Sequence, residues 1–402
     1  MEAGCVYDDM CQAARHHEGL VNLPVRYAQI NMACRAWTEN IVFKKHRELI
    51  ANGDESWVFW GRGEHQQDEH MQRINTDAEI YFDVLQTRFD GRAGFHSRGS
   101  TSRLLAKLDE IDPDVVHLHV LSGYYINIEM LFEWLANHRC KVNWTLHDCW
   151  DFTGHCIYFT SAKCGQWKVG CAFNEACPQK REYPECWFAG DATVRRNFED
   201  KKRLFTMLPP ERVQLITPSQ WLADLVKQSF LGKYDVKVIH NTINENVFKP
   251  TSSDFRERYG LGDKFVVLGV ASKWSERKGL SDFVQLARDL DSKRFSVAVV
   301  GLSKKQIKQM RGETKLVVAL PRTDTQQELA EAYSAADVLF NPTVEDNYPT
   351  VNLEAEACGT PVVTYDTGGC AETVRNHLSH VVSDYEGALY SIKAIESDGD
   401  RQ

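Results

Sequence analysis

From about Val25 onward, short runs of β-branched and aromatic residues alternate with longer segments whose apolar positions recur every three to four residues. Runs of the first kind suit strands buried on both faces, and segments of the second kind suit the helices that cover them. In the first half the predicted strands are RYAQIN (Arg26–Asn31), SWVFW (Ser56–Trp60), VVHLHV (Val115–Val120), KVNWTLH (Lys141–His147), VQLITPS and VKVIHN. The rhythm restarts with KFVVLGVAS (Lys264–Ser272), FSVAVVG (Phe295–Gly301), KLVVAL, DVLFNP and TPVVTYD. Strands separated by helices predict parallel βα units. The expected fold class is therefore α/β, with two Rossmann-like, doubly wound domains facing a cleft at the carboxyl ends of their strands.

The turn-rich stretch ENVFKPTSSDFRERYGLGD places the domain boundary near Pro250. The division is then an unassigned extension over 1–25, a first domain over 26–249 and a second over 250–402. Composition narrows the function. The chain has 402 residues, 43% of them hydrophobic, and a formal net charge of -9, which argues against a nucleic-acid partner. No apolar run approaches the roughly eighteen residues of a membrane span, and the start lacks a signal-peptide pattern, so a cytoplasmic location is expected.

Six of the twelve cysteines fall between Cys149 and Cys186, which marks a Cys-rich insert over 149–186. Within it, Cys156, Cys164, Cys171 and Cys177 are separated by seven, six and five residues. Four thiolates can hold a structural zinc. None of these gaps is the short C-x-x-C knuckle, so buried free thiols and disulfides stay open beside zinc.

Candidate chemistry concentrates in DVLFNPTVEDNYPTVNLEAEACGTPVVTYDTGG, which reads as strand, loop, helix, turn, strand. The loop brings Glu345 and Asp346 to the strand ends. The amides of Thr350 and Val351 stand at a helix N-terminus, where unpaired N–H groups favour a phosphate. Glu354 lies one turn into the helix, where a carboxylate can accept from both hydroxyls of a ribose. The acids before the helix can accept from sugar hydroxyls, although charges at a helix start would look the same. In GVASKWSERKGL, Lys273 and Lys278 are two cations able to neutralise a diphosphate. A solvated loop is the alternative for that pair.

The segments LHDCWDFTGHC, ITPSQWLADLV, VIHNTINENVFKP, the lysine pair and EDNYPTVNLEAEACGTPVV occur in one order between about Arg26 and Glu372. Together they resemble a retaining glycosyltransferase of family 4 with the GT-B fold, of the capsule, exopolysaccharide and colanic-acid biosynthesis kind. The resemblance implies that Glu354 binds ribose and that Lys273 and Lys278 meet the diphosphate. It puts Asp346 where the family has a sugar-binding Glu, with Glu345 beside it, so either acid can be the one that touches the sugar. It implies that Arg322 sits in the loop that meets the base, and that His147 lies near the reacting sugar.

The implied reaction moves a hexosyl group from a UDP- or GDP-type donor to a hydroxyl of a glycan or lipid-linked acceptor, with retention. No cofactor is required for it, and the charge a metal would supply comes from the lysines. Two alternatives remain: a nucleotide-sugar epimerase of similar fold, and an inactive nucleotide-sugar-binding relative. The second is motivated by NMACRAWTENIVFKKHREL, where the family's first loop is usually glycine-rich and this one holds no glycine. FKKHREL and DKKRLF mix basic and aromatic residues, which suits peripheral contact with anionic lipid or a solvated helix face. DPD, Asp112–Asp114, reads as a structural start to the VVHLHV strand.

Overall fold

The computed structural model describes residues 23–34, 41–65, 67–188, 190–314 and 316–399. Most of the 1–25 extension and part of the glycine-free first loop lie outside the described residues. The chain forms two compact units that divide between Ile239 and His240.

The first unit holds a seven-stranded parallel sheet of β1 (Arg26–Ala33), β2 (Glu55–Arg62), β3 (Met71–Arg73), β4 (Val115–Leu118), β5 (Lys141–Thr145), β6 (Val213–Thr217) and β7 (Asp235–Val238). Their spatial order is β3-β2-β1-β4-β5-β6-β7. The second unit holds β8 (Phe265–Val270), β9 (Phe295–Val300), β10 (Val317–Ala319), β11 (Val338–Asn341), β12 (Val362–Tyr365) and β13 (His380–Val382). Their order is β10-β9-β8-β11-β12-β13, again parallel throughout. Both orders reverse direction once, between β1 and β4 and between β8 and β11. Those reversals open a crevice at the strand carboxyl ends.

The fold is the α/β pair of Rossmann-like parallel sheets that the alternating pattern predicts. Two elements escape that pattern: β3 and β13 have three residues each and lie at sheet edges. A single pairing partner, Val58–Trp60 for β3 and Val363–Tyr365 for β13, turns these short segments into strands. The equally short β10 lies inside the apolar run KLVVAL, and the segments around β3 and β13 carry no run of that length.

Local chemistry starts and ends the helices. Thr76 and Glu79 form a reciprocal capping box for the helix Asp77–Asp90, and Gly91, at φ +72°, ends it. Ser303 and Gln306 do the same for the helix Lys304–Glu313. The first core gathers Phe132, Trp144, Trp150, Phe152 and Phe205, and the second gathers Phe283, Phe340, Val363 and Ile392.

The Cys-rich insert packs onto the first core rather than standing apart from it. Its anchor is Lys201 of the helix Asp191–Phe205, which is enclosed, with its ammonium 3.8 Å above the Trp150 ring and 2.6 Å from the Trp150 carbonyl oxygen. The DKKRLF segment therefore buries Lys201 and Phe205, and FKKHREL buries Phe43, Lys45 and Leu49. Neither presents its aromatic residues outward, which removes both as mixed basic and aromatic surfaces. Asp112 and Asp114 pair with Arg26 at the amino-terminal edge of the sheet, in line with a structural reading of DPD.

Among the described residues no helix is long and apolar enough to cross a membrane.

Candidate functional site

The crevice beside β8 and β11 collects most of the predicted residues. Lys273 is exposed just past the end of β8, and the chain there is pinned by buried Trp274, whose indole N–H donates to the Val300 carbonyl at 2.8 Å. A short helical turn over Glu276–Lys278 follows and ends at Gly279, where φ is +70°. A Cβ at Gly279 would lie 2.3 Å from the Pro342 carbonyl oxygen. The glycine is what lets the lysine loop lie against the loop after β11.

Across that contact Lys278 forms an ion pair with Asp346, and Arg277 approaches the same carboxylate at 3.6 Å. Arg277 also donates to the Glu345 carbonyl oxygen. The two acids thereby take different surroundings. Glu345 is fully enclosed, whereas the Asp346 side chain keeps 15% of its surface exposed between two cations. Its other oxygen accepts from the Asn347 N–H at 2.9 Å, so the carboxylate is held in place.

The helix Thr350–Ala357 begins at Pro349 with no side-chain cap, which leaves the amides of Thr350 and Val351 without a capping partner from the Pro349 side chain. Glu354, one turn on, accepts from the Tyr333 hydroxyl at 2.9 Å. Burial raises the pKa of Glu354, and hydrogen bonds from Tyr333 and Thr350 partly offset that rise. Tyr333 is fully buried, so one carboxylate oxygen is fixed from below. Arg322 is exposed two residues after Leu320, at the far side of β9 from β8. The turn between β9 and its helix runs through Gly301, at φ +98°, where a Cβ would lie 1.8 Å from the Ala271 carbonyl oxygen.

Lys273, Lys278, Asp346, Thr350, Val351 and Glu354 thus converge on the loops of the β8/β11 reversal, with Arg322 on the loop after β10. Arg277 and Tyr333 were not singled out by sequence. In SERKGL Arg277 reads as one more charge of a solvated loop, and Tyr333 reads as an apolar core position of its helix.

In the first unit His147 follows β5, and His119 follows β4 at the β1/β4 reversal. Three histidine rings stack there, His117 on His119 at 4.1 Å and His119 on His147 at 5.9 Å. Burial lowers the pKa of all three, His117 to about 3 and His147 to about 4, so the stack is neutral. His117 is anchored to the Thr145 hydroxyl at 2.8 Å, while the buried Nε2 of His119 has no hydrogen-bond partner among the described residues. His119 is thereby a site candidate alongside His147, although VVHLHV alone reads as a plain buried strand.

The cysteine insert departs from the zinc expectation. Cys156, Cys171 and Cys177 are buried, Cys164 is partly buried, and all four are free thiols. Among the described residues no group of three or more His, Cys, Asp or Glu is placed to hold a metal ion. Cys156, Cys171 and Cys177 instead belong to the first hydrophobic core as small apolar groups, with Cys164 packed against it. Burial pushes the Cys171 thiol up to about 12 and raises Cys156 and Cys177 as well, which keeps them protonated.

Comparisons with known proteins bear on the same segments. The family described as Glycosyl transferases group 1 matches residues 252–398. The colanic acid biosynthesis glycosyl transferase WcaC of Escherichia coli is 27% identical over 290 residues, covering 68% of this chain and 65% of WcaC. D-inositol 3-phosphate glycosyltransferase 1 of Catenulispora acidiphila is 31% identical over 182 residues, which is 40% of this chain and 44% of that protein. Among solved structures, sucrose-phosphate synthase from Thermosynechococcus elongatus superimposes with a TM-score of 0.66 at 16% identity, covering 94% of this chain and 90% of its own. Anabaena HepE in complex with UDP and glucose gives a TM-score of 0.59 at 14% identity, covering 94% and 91%. The chain therefore has the fold of the GT-B glycosyltransferase structures, and its residues 252–398, nearly the whole second unit, match the glycosyl transferases group 1.

Proposed function

We propose that the protein is a glycosyltransferase that moves a hexosyl group from a nucleotide diphosphate sugar to a hydroxyl of a glycan or lipid-linked acceptor. The observation that carries this reading is the convergence of Lys278, Asp346, Glu354 and an uncapped helix start at the β8/β11 reversal. The family match over 252–398 and the transferase relatives support it over a nucleotide-sugar epimerase.

In this reading Glu354, braced by Tyr333, accepts from the ribose hydroxyls. Lys273, Lys278 and the amides of Thr350 and Val351 hold the diphosphate, and Arg322 lies toward the base. Asp346 takes the sugar hydroxyls, because Glu345 is enclosed and Asp346 is not. Lys278 then joins the two halves of the donor, touching Asp346 on one side and the diphosphate on the other. On the first unit His147 offers a neutral hydrogen-bonding ring for an acceptor hydroxyl, with His119 stacked behind it.

The reaction retains the anomeric configuration and needs no divalent ion. The bond from the anomeric carbon to the diphosphate oxygen breaks, and a bond to the acceptor oxygen forms on the same face. The acceptor proton passes to the departing diphosphate, whose charge Lys273, Lys278 and the helix start stabilise. Calorimetric titration of UDP, GDP and ADP, with and without EDTA, tests the donor half. One nucleotide should bind in EDTA and lose affinity in Glu354→Ala. Binding of none, or binding indifferent to Glu354, would sink the reading. An NMR spectrum showing a β-linked product from an α-linked donor would sink retention.

A further inference from the structure

The helix Asp77–Asp90 carries apolar residues where solvent should be. Its inner face seats Ile80 and Thr87, yet Tyr81, Phe82, Leu85 and Phe89 all point outward, with Tyr81 74% and Phe89 64% exposed. At 100° per residue these four fall within one stripe about 100° wide, and from Tyr81 to Phe89 the stripe runs about 12 Å. A second segment extends it. Phe188 meets Phe89 edge-on at 5.2 Å, Arg88 lies 5.8 Å from the Trp187 ring, and the Trp187 N–H donates to the Arg88 carbonyl at 2.6 Å. Trp187 and Phe188 are exposed as well. Six large apolar side chains on one contiguous face exceed the scattered exposure normal for a protein surface.

One end of the stripe opens into a cavity of about 390 Å³ at the carboxyl ends of β1 and β2, lined by Met32, Arg62, Arg73, Ile80 and Tyr81 among others. The two arginines differ. Arg73 is neutralised by Asp77 and donates to the Gly61 carbonyl at 3.1 Å. Arg62 has no carboxylate partner among the described residues, and its guanidinium rests 5.9 Å from the Tyr124 ring. Tyr183 packs edge-on against Tyr124 at 5.9 Å and leads along the chain to Trp187. A cation without a carboxylate partner among the described residues, next to two phenols, thus stands at the head of an aromatic face.

We propose that this cavity and stripe are an acceptor-side subsite for a membrane lipid with a phosphate-linked headgroup, the phosphate meeting Arg62 and the aromatic face entering the bilayer surface. The proposal rests on the transferase reading and names its acceptor class. Charge complementarity favours lipid over a second copy of the chain. A two-fold pairing of the stripes would bring the same cation from each copy, and the carboxylates beside it, Asp77 and Glu185, are already paired with Arg73 and Arg88, whereas a phosphate headgroup supplies a fresh anion. Trp, Tyr and Phe beside arginine are also the residues that settle at a membrane interface.

The test is co-sedimentation of the full chain with vesicles of phosphatidylcholine alone, and of phosphatidylcholine mixed with phosphatidylglycerol. The same preparations are titrated calorimetrically with the nucleotide. The wild-type chain should pellet with vesicles and favour the mixed ones. The exposed double variant Phe82→Ser/Phe89→Ser should bind at least about tenfold more weakly, from lost apolar burial. Arg62→Gln should lose the preference for the mixed vesicles, and both variants should keep wild-type nucleotide affinity. Equal pelleting of wild type and double variant, or no pelleting at all, would overturn the proposal. So would a dimer in sedimentation velocity that the double variant dissolves. Vesicle binding without nucleotide binding would instead remove the transferase reading and leave a membrane contact.

Discussion

At the residue scale the site depends on how few atoms fix each charge. Glu354 is held by the Tyr333 and Thr350 hydroxyls, so in the proposed reading the ribose contacts rest on its remaining acceptor capacity and on its negative charge. Glu354→Gln keeps the shape and removes the charge, and a hydrogen bond to a charged group is worth about 1.5–3 kcal/mol. Nucleotide affinity should therefore drop by roughly 10- to 100-fold in calorimetry, with the fold intact. Because burial raises the Glu354 pKa, wild-type affinity should also begin to fail, as pH is lowered, sooner than an ordinary carboxylate would dictate. Lys278 faces Asp346 before any donor arrives, so Lys278→Met should lower kcat by about 10²–10³ with a smaller change in KM. Nucleotide release from a nucleotide sugar measures both. A variant with unchanged kcat would take Lys278 out of the chemistry.

At the element scale the strand ends do the positioning, and two features there can be checked. Gly301 lies at φ +98° with the Ala271 carbonyl in the place of a Cβ. Gly301→Ala should cost about 2 kcal/mol or more in urea denaturation, since both backbone strain and a backbone clash arise. The ends of β4 and β5 carry the histidine stack, whose members have folded pKa values below their unfolded one. The unfolded chain then binds protons that the folded chain does not between about pH 6.5 and pH 4. Stability is full above pH 6.5 and falls with acid, by about 1.4 kcal/mol per pH unit for each histidine. Urea midpoints at pH 7 and pH 5 should diverge accordingly, and His117→Gln, which can keep a bond to Thr145, should shrink that divergence. Equal divergence would mean His117 is protonated in the folded state.

At the scale of the whole molecule, each unit has its own sheet and core, so the donor should stabilise one of them selectively. Nucleotide at 100 times its Kd adds about 2.7 kcal/mol to the state that binds it. Hydrogen exchange with and without nucleotide should show protection gathered at 270–279 and 343–354. Protection confined to the first unit would place the donor elsewhere. Much of this was legible beforehand. Buried parallel strands announce themselves as apolar β-branched runs, and a helix start with Pro349 and Glu354 announces itself by spacing, because both are local properties of the chain. What needed tertiary structure is what depends on neighbours distant in sequence. The three-residue strands β3 and β13 exist only through their partners. Glu345 and Asp346 are chemically alike and adjacent, yet one is enclosed and the other salt-bridged, because Arg277 and Lys278 arrive from 68 residues away. Lys201 sits in a basic run yet points inward at Trp150, and four cysteines that could have held zinc pack as apolar groups. Sequence by itself determined the longer apolar strands of both sheets and the residue types that can carry charge to a ligand. The tertiary structure alone decided which of those charges are buried, paired or left facing solvent, because burial and pairing are set by what packs against a side chain and not by its place in the chain.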